Sequence, residues 1–203
     1  MKKADSKSNL NLDICRIIDY ILRIIIILMI IIKLVNQQYN DIGILLLTFL
    51  LTYYNFAFEK LFKIRLRKSS RFMLTIFIFL AQCLGTSLNF YDKFYSWDLM
   101  LHFYSGVLVF MIGLDIYQKI YDDKKIILML LFSGLFSLAI ANIWEIMEFS
   151  YDGILNMDTQ RSGNLVGRLA LKDTMTDLIA STSGTIFISI ISYIKYYIMK
   201  KKK

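Results

Sequence analysis

With 203 residues, 57% of them hydrophobic, and a mean hydropathy of +0.53, the chain is too apolar for an ordinary soluble domain, where roughly 45–50% apolar usage is typical. A formal charge of +8 would suit a nucleic-acid binder, but the bases cluster at the ends of apolar blocks. That makes them a topology signal and sets membrane lipid, not nucleic acid, as the expected partner.

The basic N-terminal tail, residues 1–16, begins "MKKADSK" and leads into a first apolar block at about 17–35. No small-residue cleavage site follows this block, so it reads as a retained helix and not a leader. Further apolar spans follow at about 42–58, 72–90, 98–118, 126–148 and 174–194, and the basic tail 199–203 ends the chain. Each span is long enough, as a helix, to reach across roughly 30 Å of hydrocarbon. The expected fold is therefore all-α: a bundle of six transmembrane helices within 17–198, with the polar motifs concentrated in 97–184. Cys15 and Cys83 fall at different expected depths, which argues against a disulfide.

Every alternate connection is basic: Lys2, Lys3, Lys7 and Arg16 before the first span, "EKLFKIRLRKSSR" after the second, Lys119, Lys124 and Lys125 after the fourth, and "KKKK" at the end. By the positive-inside rule both termini are expected in the cytoplasm. The opposite connections are richer in acid than in base, which topology alone does not require.

Three spans carry those acids to one end. The fourth enters as "SWDLMLHFYSG", so Asp98 and His102, four apart, share a face that Ser105 continues. The fifth leaves as "NIWEIMEF", with Glu145 and Glu148 three apart and Asn142 one turn below. The sixth enters as "DTMTDLIASTSG", with Asp173 and Asp177 four apart, then Ser181 and Gly184. The third adds a polar stripe, Gln82, Thr86 and Asn89.

Simple packing roles account for part of this. Asp98 and Asp173 stand where helix N-caps belong. Trp97 and Trp144 suit the aromatic belt. Gly106 and Gly184 allow helices to approach closely. Capping does not account for Glu145 and Glu148, which stand at the helix end whose dipole opposes them, or for Asp177, a turn too deep to cap its span. Carboxylates in lipid are also costly. They are expected to face the bundle interior around a positive partner.

Two partners are open. One is Arg161, Arg168 or Lys172 folding down from the connection between the fifth and sixth spans. The other is a divalent metal ion (Mg, Mn, Zn or Fe) held by Asp98, His102, Glu145, Glu148, Asp173 and Asp177, a donor set of carboxylates with one imidazole that suits such ions.

The order "WD…H…G", "WE..E", "DT..D" resembles the YjdF-like family of uncharacterised bacterial inner-membrane proteins. The residues that carry the resemblance are Trp97, Asp98, His102 and Gly106; Trp144, Glu145 and Glu148; and Asp173, Thr174, Asp177 and Gly184. It covers the second half of the chain and implies a six-helix plan in a bacterial cytoplasmic membrane, without naming a reaction.

Three functions fit these residues. In a metal-dependent enzyme acting on a lipid or lipid-linked substrate, Glu145, Glu148 and Asp177 are the catalytic candidates, Arg161 and Arg168 would hold a phosphate, and the 151–172 connection would cover the site. A proton- or cation-coupled transporter would use the same acids, but the inner halves of the spans, "VLVFMIGL" and "IILMLLF", look dry apart from Ser133 and Ser137. In a structural or regulatory subunit the network would only fix helix register. Protein partners and the transported or reacting species are not legible.

Overall fold

The computed structural model describes residues 2–39, 42–54, 58, 60–61, 63–121, 125–155, 159–160 and 168–201, without the side chains of 2–16, 155, 169 and 170. The described residues form seven α-helices and one π-helical segment, divided between two compact units, Met1–Tyr95 and Ser96–Lys203.

The first unit contains α1 (Lys2–Val35), α2 (Ile42–Leu51), α3 (Lys68–Ile78), a π-helical continuation of α3 (Phe79–Ser87) and the one-turn α4 (Phe90–Lys93). Its core joins three of them: Ile26 of α1, Leu45 of α2 and Cys83 of the π segment are wholly buried, with Met29, Ile30, Ile44, Phe49 and Phe79 packed around them. Arg23 interrupts the apolar face of α1, but its charge is accommodated locally. Its Nε donates to Thr52 Oγ1 and a terminal nitrogen to Thr52 O, both at 3.1 Å, and the guanidinium lies 4.2 Å from the Tyr53 ring centroid. Asn89, at the N-cap of α4, takes the left-handed conformation (φ 56°) that asparagine tolerates better than most residues.

The second unit is three long helices: α5 (Trp97–Ile120), α6 (Ile126–Leu155) and α7 (Arg168–Lys201). The buried positions of α5 include His102, Gly106, Phe110, Gly113 and Tyr117, spaced by three or four as one helical face requires. Two glycines set how closely α5 and α7 approach. A methyl group on Gly106 would overlap the Ser181 carbonyl oxygen, and one on Gly184 would overlap the Phe103 carbonyl oxygen. Gly113 meets the Ser133 backbone of α6 in the same way, 2.9 Å from where a methyl would lie. Close packing is thus what these glycines permit, and it carries polar groups with it. Ser137 Oγ donates to Gly106 O at 3.1 Å and lies 2.8 Å from Thr185 Oγ1.

The unit buries polar side chains among apolar ones such as Leu101, Leu108 and Phe110, and its outside is apolar. Ser133, Ser137, Glu145, Asp177, Ser181 and Thr185 are buried, while Leu131, Leu135, Ile146, Ile179, Ile186 and Phe187 are exposed. So many large apolar side chains on the outside suit a surface that faces lipid.

Four helical stretches among the described residues are long and apolar enough to cross a membrane: Lys68–Ser87, Trp97–Ile120, Ile126–Ile154 and Leu171–Lys201. They correspond to the third to sixth spans read from the sequence. The first two spans fall on α1, whose apolar half contains Asp19, Arg23 and Lys33, and on the short α2.

Two helices outrun their expected ends, with consequences for the acids. α6 continues to Leu155, so Glu145 and Glu148 lie inside it and not at its final turn. α7 begins at Arg168, so Asp173 is more than a turn inside the helix and does not cap it. Asp98 also fails as a cap, because Ser96 holds that position and Asp98 lies in the first turn of α5. The capping roles expected for Asp98 and Asp173 are therefore withdrawn.

Candidate metal centre

His102 is the hub. It lies one turn along α5 from Asp98, and Gly106 beyond it lets α7 close in, so the ring is trapped between α5, α6 and α7 with 8% exposure. Each ring nitrogen faces acids. On one edge Nε2 lies 3.7 Å from Asp98 Oδ1 and 4.0 Å from Asp177 Oδ2. On the other Nδ1 lies 3.7 Å from Glu145 Oε1 and 3.5 Å from Ser181 Oγ. Ser181 Oγ also donates to the His102 carbonyl at 3.2 Å, which ties α7 to the turn carrying the imidazole.

Two donor sets result, Asp98–His102–Asp177 and His102–Glu145–Glu148, each with its potential ligand atoms within 4.8 Å of one another. Donors around one ion at metal–oxygen distances near 2.0–2.2 Å stand about 3 Å apart. The observed ring-to-carboxylate distances are therefore longer than hydrogen bonds yet within about 1 Å of a shared coordination sphere.

Glu145 is the decisive member. It is 5% exposed, and neither carboxylate oxygen has a hydrogen-bond partner among the described residues. A buried carboxylate without hydrogen bonds is costly, because a polar group leaving water must regain its partners elsewhere. Glu148 is better supplied: Trp144 Nε1 donates to its Oε1 at 2.7 Å. Trp144, expected only as an interfacial anchor, thus also orients an acid of the cluster. Their i, i+4 spacing was the available signal.

Part of the connection after α6 folds back over this end. Asp152 accepts from Thr159 N and Oγ1, both at 2.6 Å, and from Gln160 N at 3.0 Å. Thr159 Oγ1 donates to the Glu148 carbonyl, and Gln160 Nε2 to Thr174 Oγ1.

Of the five acids expected at the centre, four belong to the donor sets around His102, namely Asp98, Glu145, Glu148 and Asp177, while Asp173 of α7 is half-buried and outside both sets. Arg168 is exposed at the start of α7, and Arg161 lies outside the described residues. Asp115 escaped the sequence reading. It is 5% exposed on α5, in the half expected to be dry, at the end of the run "VLVFMIGLD". A lone acid closing an apolar run was the signal.

Residues 18–197 match the family described as predicted membrane protein (DUF2238). The chain belongs to this family. A relative of the DUF2238 chain, an uncharacterised protein of Thermotoga maritima, is 32% identical over 145 residues, which is 69% of this chain and 70% of the relative. No solved structure matches. Membership carries the expectation of a membrane protein of uncharacterised family; the YjdF-like name is not part of the match.

Proposed function

We propose that this DUF2238 protein binds a divalent cation between α5, α6 and α7 and uses it as a membrane enzyme acting on a lipid or lipid-linked substrate. The supporting observation is Glu145, a buried carboxylate with no hydrogen bond, facing an imidazole that has acids on both edges. A cation there would satisfy several of these groups at once. If Nδ1 ligates beside Glu145, Nε2–H is left for Asp98 and Asp177, the carboxylate–histidine pairing that orients metal-bound imidazoles. The bound ion would supply Lewis-acid polarisation of a phosphoryl or acyl oxygen.

The chain's own residues supply the rest. Glu148, oriented by Trp144, is the general base, with the oxygen not bonded to Trp144 taking the proton. Asp177 and Asp98 hold the opposite edge of His102. Arg168, with Arg161, binds a substrate phosphate. The exposed apolar side chains flanking the centre, Ile143 and Ile146 of α6 and Ile179 of α7, give acyl chains a route to it from the bilayer.

The same proposal includes six membrane spans with both termini in the cytoplasm of a bacterial cell. Alternating basic connections support it, as does the accommodation of Arg23, which lets α1 enter lipid despite its charge.

A second reading, cation or proton transport, is favoured by a different observation: buried Asp115, with Ser133, Ser137 and Thr185 also buried in the same unit. Elemental analysis of detergent-purified protein tests the first reading. Near-stoichiometric divalent metal is expected in the wild type and none in His102→Ala; a metal-free wild type, including after incubation with each candidate ion, rejects it.

A further inference from the structure

We propose that the protein dimerises through α6, along a leucine seam that pairs Asn142 of one copy with the same residue of the other. Asn142 belongs to neither donor set around His102, so this surface does not depend on what that centre holds.

Spacing and exposure together define the seam. Leu128, Leu131, Leu135, Leu138 and Asn142 follow one another at intervals of three, four, three and four, the a and d pattern by which two helices interdigitate. The three-helix unit gives these positions little cover: Leu128, Leu131, Leu135 and Asn142 are exposed, and Leu138 is half-buried. α6 turns Ser133, Ser137 and Glu145 inward instead. Exposed leucines alone need no partner in a bilayer, because lipid chains are as apolar as they are. Asn142 does.

Asn142 lies within Ile126–Ile154, a stretch long and apolar enough to cross the membrane. It stands sixteen residues after Ile126 and twelve before Ile154, about 24 and 18 Å at 1.5 Å per residue, which is hydrocarbon depth. Its Nδ2 donates to Leu138 O at 2.7 Å. That bond uses one of the amide's two N–H groups and none of its acceptor capacity. A donor and an acceptor are left to be matched at an exposed position, and in hydrocarbon such groups are costly until they are paired.

The chemistry of the seam selects its partner. No charged side chain lies between Ile126 and Trp144, so neither an acidic nor a basic helix is complementary to it. The partner must be apolar over four layers and carry one amide at the fifth, and α6 itself meets both requirements. Copies inserted in the same orientation pair in parallel about a two-fold axis, so position 142 meets position 142. Each amide then supplies the donor that the other accepts. A single asparagine at an a position is the device that fixes register and two-stranded pairing in parallel coiled coils. The seam ends there, because the next position of the repeat is Glu145, turned inward to His102. Ile143 and Ile146 therefore stay in contact with lipid.

The test combines sedimentation equilibrium of the full-length protein in density-matched detergent micelles with oxidative cross-linking in liposomes. The wild type is expected to form a reversible dimer. Asn142→Leu, an exposed substitution that leaves helical circular dichroism unchanged, should raise the dissociation constant about tenfold, the scale of one interhelical hydrogen bond in lipid. Leu135→Cys should give a covalent dimer on oxidation with copper phenanthroline. The wild type, with its own Cys15 and Cys83, and Ile179→Cys on the exposed face of α7 should not. A monomeric wild type overturns the proposal, since the amide is then satisfied within one chain. An assembly larger than two overturns it as well. So does a dissociation constant unchanged in Asn142→Leu, or cross-linking through Ile179→Cys in place of Leu135→Cys, which would put the interface on another face.

Discussion

His102 and Glu145 face each other across the α5–α6 interface, with Nδ1 and Oε1 3.7 Å apart. That separation is too long for a hydrogen bond, and it leaves Glu145 with no hydrogen-bond partner among the described residues in a nearly closed site. Replacing the carboxylate by an amide separates the cost of burying charge from the gain of binding a cation. In chelator-treated protein, Glu145→Gln should raise the melting temperature by a few degrees, since about 1 kcal/mol corresponds to roughly 2–4 °C at this size. Added metal should stabilise the wild type, by about 2.7 kcal/mol at a hundredfold excess over Kd, and leave the variant unmoved. Thermal melts with and without each ion check both halves. Equal metal-induced shifts in the two proteins would remove Glu145 from the ligand set.

The convergence of these acids could be read from spacing alone. Asp98 and His102, Glu145 and Glu148, and Asp173 and Asp177 each share a helix face, and burying charged faces in lipid forces them inward. Helix ends were less legible. The 149–155 stretch reads as connection, yet α6 runs through it, because intrahelical hydrogen bonding outweighs weak local signals near a membrane boundary. Asp173 was misplaced for the same reason at the start of α7. The Trp144 bond to Glu148 and the burial of Asp115 were missed because each residue has an ordinary explanation in one dimension; only packing reveals them.

Trp144→Phe keeps the ring and removes the donor to Glu148. If the tryptophan were only a membrane anchor, metal affinity would not change. Loss of an orienting hydrogen bond typically weakens a metal site by about 10–100-fold. An affinity drop near the lower end of that range is expected, with the melting temperature of the metal-free protein nearly unchanged. Competition titration with a chromophoric chelator measures it.

Gly106 and Gly184 make a stability prediction free of any assumption about metal. Alanine at either position drives a methyl into a backbone carbonyl of the facing helix, which a side-chain rotation cannot relieve. Each substitution should cost about 1–3 kcal/mol, the usual range for overpacking. Gly134→Ala serves as the comparison. It lies in α6 with nothing within 4 Å of an added methyl, so it should be neutral or slightly stabilising as a better helix former. Unfolding in denaturing detergent ranks the three.

Asp115 separates the enzyme from the transporter. It lies thirteen residues beyond His102 on α5, about 20 Å along the helix at 1.5 Å per residue, so it cannot share the His102 centre. Asp115→Asn should therefore leave bound metal and metal-induced stabilisation as in the wild type. An enzyme centred on His102 should also retain its turnover in this variant. A proton or cation path needs a titratable or coordinating group at that depth, and on that reading proteoliposome flux should fall to background in Asp115→Asn, as in His102→Ala. Parallel flux and metal measurements on these two variants give opposite patterns for the two functions. Wild-type proteoliposomes with no flux for protons or for the bound ion, beside metal retained in Asp115→Asn, leave the enzyme reading standing, because the buried acid would then be only a packing group of the three-helix unit.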